Sequence, residues 1–92
     1  MLKHIVMWRL HDTAAAPELI ARLEALGNLP MVGALEAGLN ISSRPVAWDV
    51  ILVSSFADAA ALEAYRVHPD HQAVVAYLAD IAADTAVVDY TL

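Results

Sequence analysis

A helical segment breaks within the stretch Tyr65-Arg66-Val67-His68-Pro69-Asp70-His71. Proline disfavours helical geometry in the residue that precedes it, yet it suits the first position of a new helix. The stretch therefore predicts two consecutive helices, the first running from an N-cap at Asp58 through Arg66 and the second from Pro69 to about Ala83. Two of the four histidines and a tyrosine also gather here, so we expect the chemistry of the protein at this break.

The remaining segments show patterns typical of strands and of one more helix. Leu2 to Leu10 predicts a strand whose even face carries Leu2, His4, Val6, Trp8 and Leu10. A helix is expected between Thr13, a suitable N-cap, and Gly27-Asn28, because apolar residues recur there at helical spacing: Leu19, Ile20, Leu23 and Leu26. Three further strands are predicted at Gly33 to Ile41, Trp48 to Phe56 and Thr85 to Leu92.

The resulting order, βαββαβ, is typical of a ferredoxin-like α+β fold, here as a single domain over residues 1–92. We predict a four-stranded antiparallel sheet, and right-handed crossovers place both helical regions on one of its faces. In the third strand, one face carries Trp48, Val50, Leu52 and Phe56, and the other carries Ile51 and Val53.

The sheet face away from the helices has no cover from its own chain. It would carry Ile5, Met7, Ile51 and Val53, all of them apolar. The chain is 60% hydrophobic and only 17% charged, whereas a small monomer is expected to be about half apolar and a quarter charged. Both observations predict a homodimer.

Composition excludes several classes of function. The chain has no cysteine, which excludes disulfides, thiolate catalysis and cysteine-ligated metal sites. A net charge of −6 offers no electrostatic surface for nucleic acid. The longest run without a charge, Ala25 to Leu35, is far short of the ~20 apolar residues that cross a bilayer. The N-terminus is typical of a strand rather than a signal peptide, so no membrane partner and a cytoplasmic location are expected.

His71 and Tyr65 are the candidate catalytic residues. His71 would lie in the first turn of the last helix, where free N–H groups and the helix dipole disfavour an imidazolium and leave a neutral base; Asp70 opposes this effect. Tyr65 ends the preceding helix, and its hydroxyl is suited to orienting a carbonyl or stabilising an enolate. The alternative is structural: a core aromatic and a polar residue at a helix start.

The other two roles considered for histidine are metal binding and structural hydrogen bonding. His68 and His71 have the spacing of two ligands, but zinc needs three or four, so no metal and no cofactor are predicted. His68 is expected to cap the helix or to face solvent rather than to perform chemistry. His4 shares its face with Val6 and Trp8 and should point toward a cavity beneath the helices, or form a structural hydrogen bond there.

The helix-break stretch Tyr65 to His71, together with Lys3-His4-Ile5-Val6 and Val87-Val88-Asp89-Tyr90, resembles the stress-responsive α/β-barrel (Dabb) family. The resemblance covers nearly the whole chain. The resemblance implies ferredoxin-like dimers that pack sheet to sheet as a dimeric α/β barrel. The family includes a plant polyketide cyclase and stable stress proteins. The cyclase's tyrosine and second histidine of H-P-x-H, matched here by Tyr65 and His71, enolise and close a linear polyketide without cofactor or metal.

The chain departs from the cyclase in two positions expected to line the pocket. Trp8 is bulkier than a leucine, and Val74 replaces a phenylalanine, so a long alkyl tail is not expected to fit. The predicted substrate-binding wall comprises His4, Val6, Trp8, Leu52, Val74 and Tyr77. Tyr90 is expected at the dimer seam.

Three functions are compatible with these features. The first is a small-molecule enzyme, of cyclase or lyase type, that uses acid–base chemistry on a carbonyl or polyketide/aromatic-type substrate without a cofactor. The second is a non-catalytic, stress-protective or ligand-binding homodimer. The third is a cofactor-free monooxygenase of a related dimeric ferredoxin-like family. An accessible cavity that joins Tyr65 and His71 would favour the first.

Overall fold

The computed structural model describes all 92 residues. Two single turns of 3-10 helix, Thr13–Ala15 and Leu26–Asn28, flank the first α-helix. The regular elements are, in chain order, β1 (Leu2–Leu10), α1 (Ala16–Ala25), β2 (Ala34–Leu39), β3 (Val50–Phe56), α2 (Ala59–Val67), α3 (Pro69–Ile81) and β4 (Ala82–Thr91).

The four strands form one antiparallel sheet in the order β2-β3-β1-β4, and this α+β arrangement is the predicted ferredoxin-like fold. Along β1 the even residues are buried and the odd residues are partly exposed. The buried face of the sheet packs against the helices, with Leu19 and Leu23 of α1 and Leu62 and Tyr65 of α2 in the core. The predicted division of β1 into an inner and an outer face is therefore confirmed.

The helix break lies where Pro69 predicted it. Asp58 accepts a hydrogen bond from the N–H of Ala61 (2.9 Å) and so caps the start of α2. His68 has extended backbone angles, and its Nδ1 accepts from the N–H of Asp70 (3.0 Å), which caps the start of α3. The expected capping role of His68 is confirmed.

Several element boundaries differ from the prediction. Helix α1 begins at Ala16 because Asp12, rather than Thr13, caps the chain, and its carboxylate accepts from Ala14 N–H (2.9 Å) at the head of a 3-10 turn. Strand β2 is shorter than predicted at both ends, at Ala34–Leu39.

Strand β3 begins two residues later than predicted, which removes Trp48 from the inner face. The N–H of Asp49 donates to the carbonyl oxygen of Trp8 (2.9 Å), and the Asp49 carboxylate accepts from Leu10 N–H (2.8 Å). These bonds hold Asp49 against β1 just ahead of the regular strand. The Trp48 ring lies under the guanidinium of Arg9, 4.4 Å from the ring centre, on the side opposite the core.

The outer face of the sheet is apolar and has no cover from the chain itself. Ile5 pairs with Val53 and Met7 with Ile51 across β1 and β3, while Val88 of β4 lies beside Ile5 and is 61% exposed. This is the uncovered face that the sequence predicts. No helix has the length and apolarity that crossing a membrane requires.

Candidate functional site

A cavity of about 420 Å³ lies between the inner face of the sheet and the helices. Twelve of its sixteen lining residues are hydrophobic, and its polar groups include His4, Tyr65, Arg66 and His71. Seven residues predicted to bound the pocket do line it: His4, Val6, Trp8, Leu52, Tyr65, His71 and Val74. Its size is within the range of cavities that hold small organic ligands.

Tyr65 is held at the centre of an aromatic cluster. It lies near the end of α2, is fully buried, and packs against Phe56, with ring centres 5.1 Å apart. The ring of His71 is closer, at 4.4 Å, and that of His4 lies edge-on at 6.3 Å. The helix break is what folds α3 back so that His71 meets the tyrosine six residues before it.

The Tyr65 hydroxyl is buried and has no hydrogen-bond partner in the protein. Burial raises the pKa of Tyr65 to about 12, because desolvation disfavours the phenolate. The hydroxyl is therefore a protonated donor throughout the physiological pH range. An unpaired buried donor costs about 1–3 kcal/mol, which a ligand oxygen at this position would recover.

One ring nitrogen of His71 is hydrogen-bonded within the protein, and the other is not. Its Nδ1 lies 3.0 Å from the carbonyl oxygen of Arg66, and because a carbonyl only accepts, Nδ1 carries the proton. In the neutral ring, Nε2 then holds the lone pair. Burial is the largest cause that lowers the pKa of His71; the hydrogen bond to Arg66 raises it, and the charges of His4 and Arg66 lower it.

The direction of this shift is the one predicted from the helix start, but burial is its principal cause. Asp70, which was expected to oppose the shift, is directed elsewhere: its carboxylate lies 4.0 Å from Nδ1 of His68. His71 is thus a neutral base beside a neutral phenol.

Asp89 is a polar residue of this region to which the sequence assigned no site role. Its carboxylate lies 2.5 Å from Nδ1 of His4, which is buried. Strands β1 and β4 are antiparallel, and His4 and Asp89 are direct partners in their register. No local signal in the sequence indicates this pairing, because the two residues are 85 positions apart and the packing of the sheet sets the register.

Tyr77 does not line the cavity, contrary to the prediction. The cavity residues of α3 are His71, Val74, Val75, Leu78 and Ala79, which lie on one side of the helix. Tyr77 projects from another side toward α1, where the guanidinium of Arg22 lies 4.0 Å above its ring. The wall is completed instead by residues that the sequence did not indicate, among them Leu23, Leu26, Thr85 and Val87.

Three or more histidine, aspartate or glutamate side chains nowhere gather as a metal-binding group. The groups at the polar end of the cavity are instead two imidazoles and a phenol. A base and a hydroxyl donor at the end of an apolar cavity are suited to removing a proton next to a carbonyl while its oxygen receives a hydrogen bond.

Known proteins share this fold and, in part, this sequence. An uncharacterized protein of Streptomyces coelicolor is 35% identical over 96 residues, covering 98% of this chain and 98% of that protein. A dimeric ferredoxin-like protein of unknown function from Bacteroides fragilis has a TM-score of 0.88 and 28% identity, covering 99% of this chain and 95% of its own. Hydroxynitrile lyase from Passiflora edulis has the same fold, with a TM-score of 0.85 at 17% identity, over 99% of this chain and 92% of the lyase.

The sequence match to a family extends over nearly the whole chain. Residues 2–92 match the stress-responsive A/B barrel domain. The match includes all four strands and the helix break that brings Tyr65 and His71 together. The chain belongs to the stress-responsive A/B barrel domain (Dabb) family.

Proposed function

We propose that this protein is a homodimeric enzyme that binds a small, mostly apolar carbonyl compound and transfers a proton on it without cofactor or metal. The observation that carries the proposal is the buried hydroxyl of Tyr65, which has no partner in the protein and belongs to a ring that packs against the ring of His71. Buried polar groups in proteins are nearly always paired, so an unpaired donor at a cavity indicates a place for a ligand oxygen.

In the proposed reaction, the substrate's carbonyl oxygen accepts a hydrogen bond from the Tyr65 hydroxyl. His71 Nε2 then removes a proton from the carbon next to the carbonyl, and the bond's electron pair moves to the oxygen as an enolate. His71 becomes an imidazolium, and its Nδ1 keeps its proton and continues to donate it to the carbonyl oxygen of Arg66. Return of the proton to the same or another carbon completes an exchange, an isomerisation or the first step of a ring closure.

The dimer is supported by the outer face of the sheet. Ile51, Val88 and Tyr90 are each at least one-third exposed in the single chain, and such exposed apolar side chains commonly mark a protein interface. The related Bacteroides fragilis protein is dimeric. Two sheets facing each other through these residues would form the dimeric barrel.

A second candidate function, binding without turnover, is favoured by the composition of the cavity wall. Twelve of the sixteen lining residues are hydrophobic, and they suit the sequestering of an apolar compound by a stable dimer. In that case Tyr65 and His71 would orient the ligand and perform no chemistry.

Proton exchange on acetophenone in D₂O tests the proposal. This ketone has exchangeable methyl protons next to its carbonyl, and proton NMR follows their replacement by deuterium. We expect the wild-type protein to accelerate the exchange above buffer, and His71→Ala and Tyr65→Phe each to lower the rate by about 10²-fold or more.

Two matched variants control for the loss of a histidine or a hydroxyl elsewhere. His11→Ala changes an exposed histidine at the end of β1, and Tyr77→Phe changes a tyrosine outside the cavity. Both should exchange at the wild-type rate. If a thermal shift shows that the wild-type protein binds acetophenone, but exchange is no faster than in buffer, the ligand-binding function would replace the proposed enzyme activity.

A further inference from the structure

His4, which lines the cavity, forms a second polar pair with Asp89, separate from the contact between Tyr65 and His71. His4 projects from β1 into the cavity, and Asp89 projects from the same face of β4, beside it in the register. The carboxylate meets the imidazole at Nδ1. Since a carboxylate only accepts, it keeps Nδ1 protonated and leaves Nε2 as the nitrogen that gains or loses a proton.

The main chain already holds these two strands together without the side-chain pair. β1 and β4 are paired along nearly their whole lengths, from Leu2 with Thr91 to Leu10 with Ala82. The structure shows no hydrogen bond to Nε2 of His4, although the ring is buried and lines the cavity. The ring is therefore fixed at one nitrogen and free at the other, as in sites where a carboxylate orients a catalytic histidine.

We propose that His4 is the second proton-transfer residue of the cavity and that Asp89 is its positioning residue. The inference rests on the proposed function, in which His71 is the general base, and it assigns His4 as the general acid that works with it. As His71 Nε2 takes the proton from the substrate carbon, His4 in its imidazolium form delivers the Nε2 proton to the carbonyl oxygen. The products are the enol, protonated His71 and neutral His4; ketonisation reverses both transfers, so atoms and charge balance.

The two imidazoles have surroundings that suit these opposite roles. Asp89, a carboxylate, faces His4, whereas a carbonyl oxygen faces Nδ1 of His71. The other titratable or charged groups around the cavity are Tyr65 and Arg66, both on α2. A pair of titratable groups in contrasting environments is the usual arrangement for an acid and a base in one site.

The pH dependence of acetophenone exchange tests the assignment. The rate should require neutral His71 and protonated His4, and so pass through a maximum. His4→Gln should lower the rate by about 10²-fold and remove the alkaline limb; Asp89→Asn should lower it by at least about tenfold and move that limb to lower pH. Asp80→Asn removes the same charge from an exposed site on α3, and it should change neither the exchange rate nor the alkaline limb of the pH profile.

Nitrogen NMR of the labelled protein supplies a measurement that needs no turnover. We expect His4 to carry its proton on Nδ1 in the wild type, and Nε2 to shift when 4-nitrophenol, an enolate mimic, is added. Asp89→Asn should move the proton to Nε2, because an amide can donate to Nδ1. If His4→Gln does not fold, the Asp89→Asn variant still tests the role of His4.

The outcomes separate the two proposals. The role of His4 would be overturned if folded His4→Gln and Asp89→Asn proteins kept the wild-type rate and pH profile. If exchange were lost in His71→Ala at the same time, the proposed function would still stand. An Nε2–H tautomer of His4 in the wild type would also overturn the role of His4. Absence of exchange in the wild-type protein would overturn both.

Discussion

Replacing Trp8 with alanine should destabilise each subunit strongly while leaving the dimer assembled. Trp8 is 3% exposed, on the inner face of β1, so nearly the whole indole is removed from water by its own chain. At about 25 cal/mol per Å² and roughly 150–250 Å² for a buried aromatic, the transfer contribution is about 4–6 kcal/mol. Because the indole borders an existing cavity, fewer packing contacts are lost, and we expect Trp8→Ala to lower the free energy of unfolding by about 3–5 kcal/mol.

Urea unfolding followed by circular dichroism, at one fixed protein concentration, would measure this loss. Met7→Ala is the matched control, since Met7 is the neighbouring residue on the outer face of the same strand. Sedimentation velocity should show a dimer for Trp8→Ala, and the enlarged cavity should accept phenols too bulky for the wild type. A Trp8→Ala protein that dissociates without a change in ligand size, or that loses less than about 1 kcal/mol, would refute the assignment of the faces.

Four further outcomes follow from the same structure. Met7→Asp should yield monomers or aggregates in ultracentrifugation, because a charge would be buried at the proposed seam; an intact dimer at micromolar concentration would contradict it. Tyr65→Phe should keep or raise the unliganded free energy of unfolding, by up to about 1 kcal/mol, since it removes an unpaired buried hydroxyl; a large loss in urea unfolding would show that the hydroxyl has a partner. The pKa of His71 is lowered from 6.5 on folding, so the unfolded chain binds more protons; its contribution to stability is complete above about pH 6.5 and is lost as pH falls through the lowered pKa. Unfolding free energies at several pH values should therefore fall less steeply toward acid for His71→Gln than for the wild type. Asp58→Ala should cost about 0.5–2 kcal/mol through loss of the α2 cap, measured by the same unfolding assay, and an unchanged midpoint would contradict it.

Features that depend on a few neighbouring residues were predictable from the sequence. The break at Pro69, the caps by Asp58 and His68, and the inner face of β1 all follow from local backbone preferences or from the two-residue period of a strand. The order of the elements then restricts the topology enough to indicate the ferredoxin-like fold and its uncovered sheet face. The motif at residues 65–71 also located one end of the cavity.

Features that depend on how elements rotate and slide against each other were decided by the tertiary structure. Asp49 is bound to β1 and moves Trp48 out of the inner face, and Tyr77 turns toward Arg22 instead of the cavity. The partnership of His4 with Asp89 joins residues 85 positions apart. Local preferences are nearly the same for several registers and helix rotations, and only the packing of the whole core selects among them. The same packing buries Tyr65 and His71 together, and their pKa shifts follow from that burial.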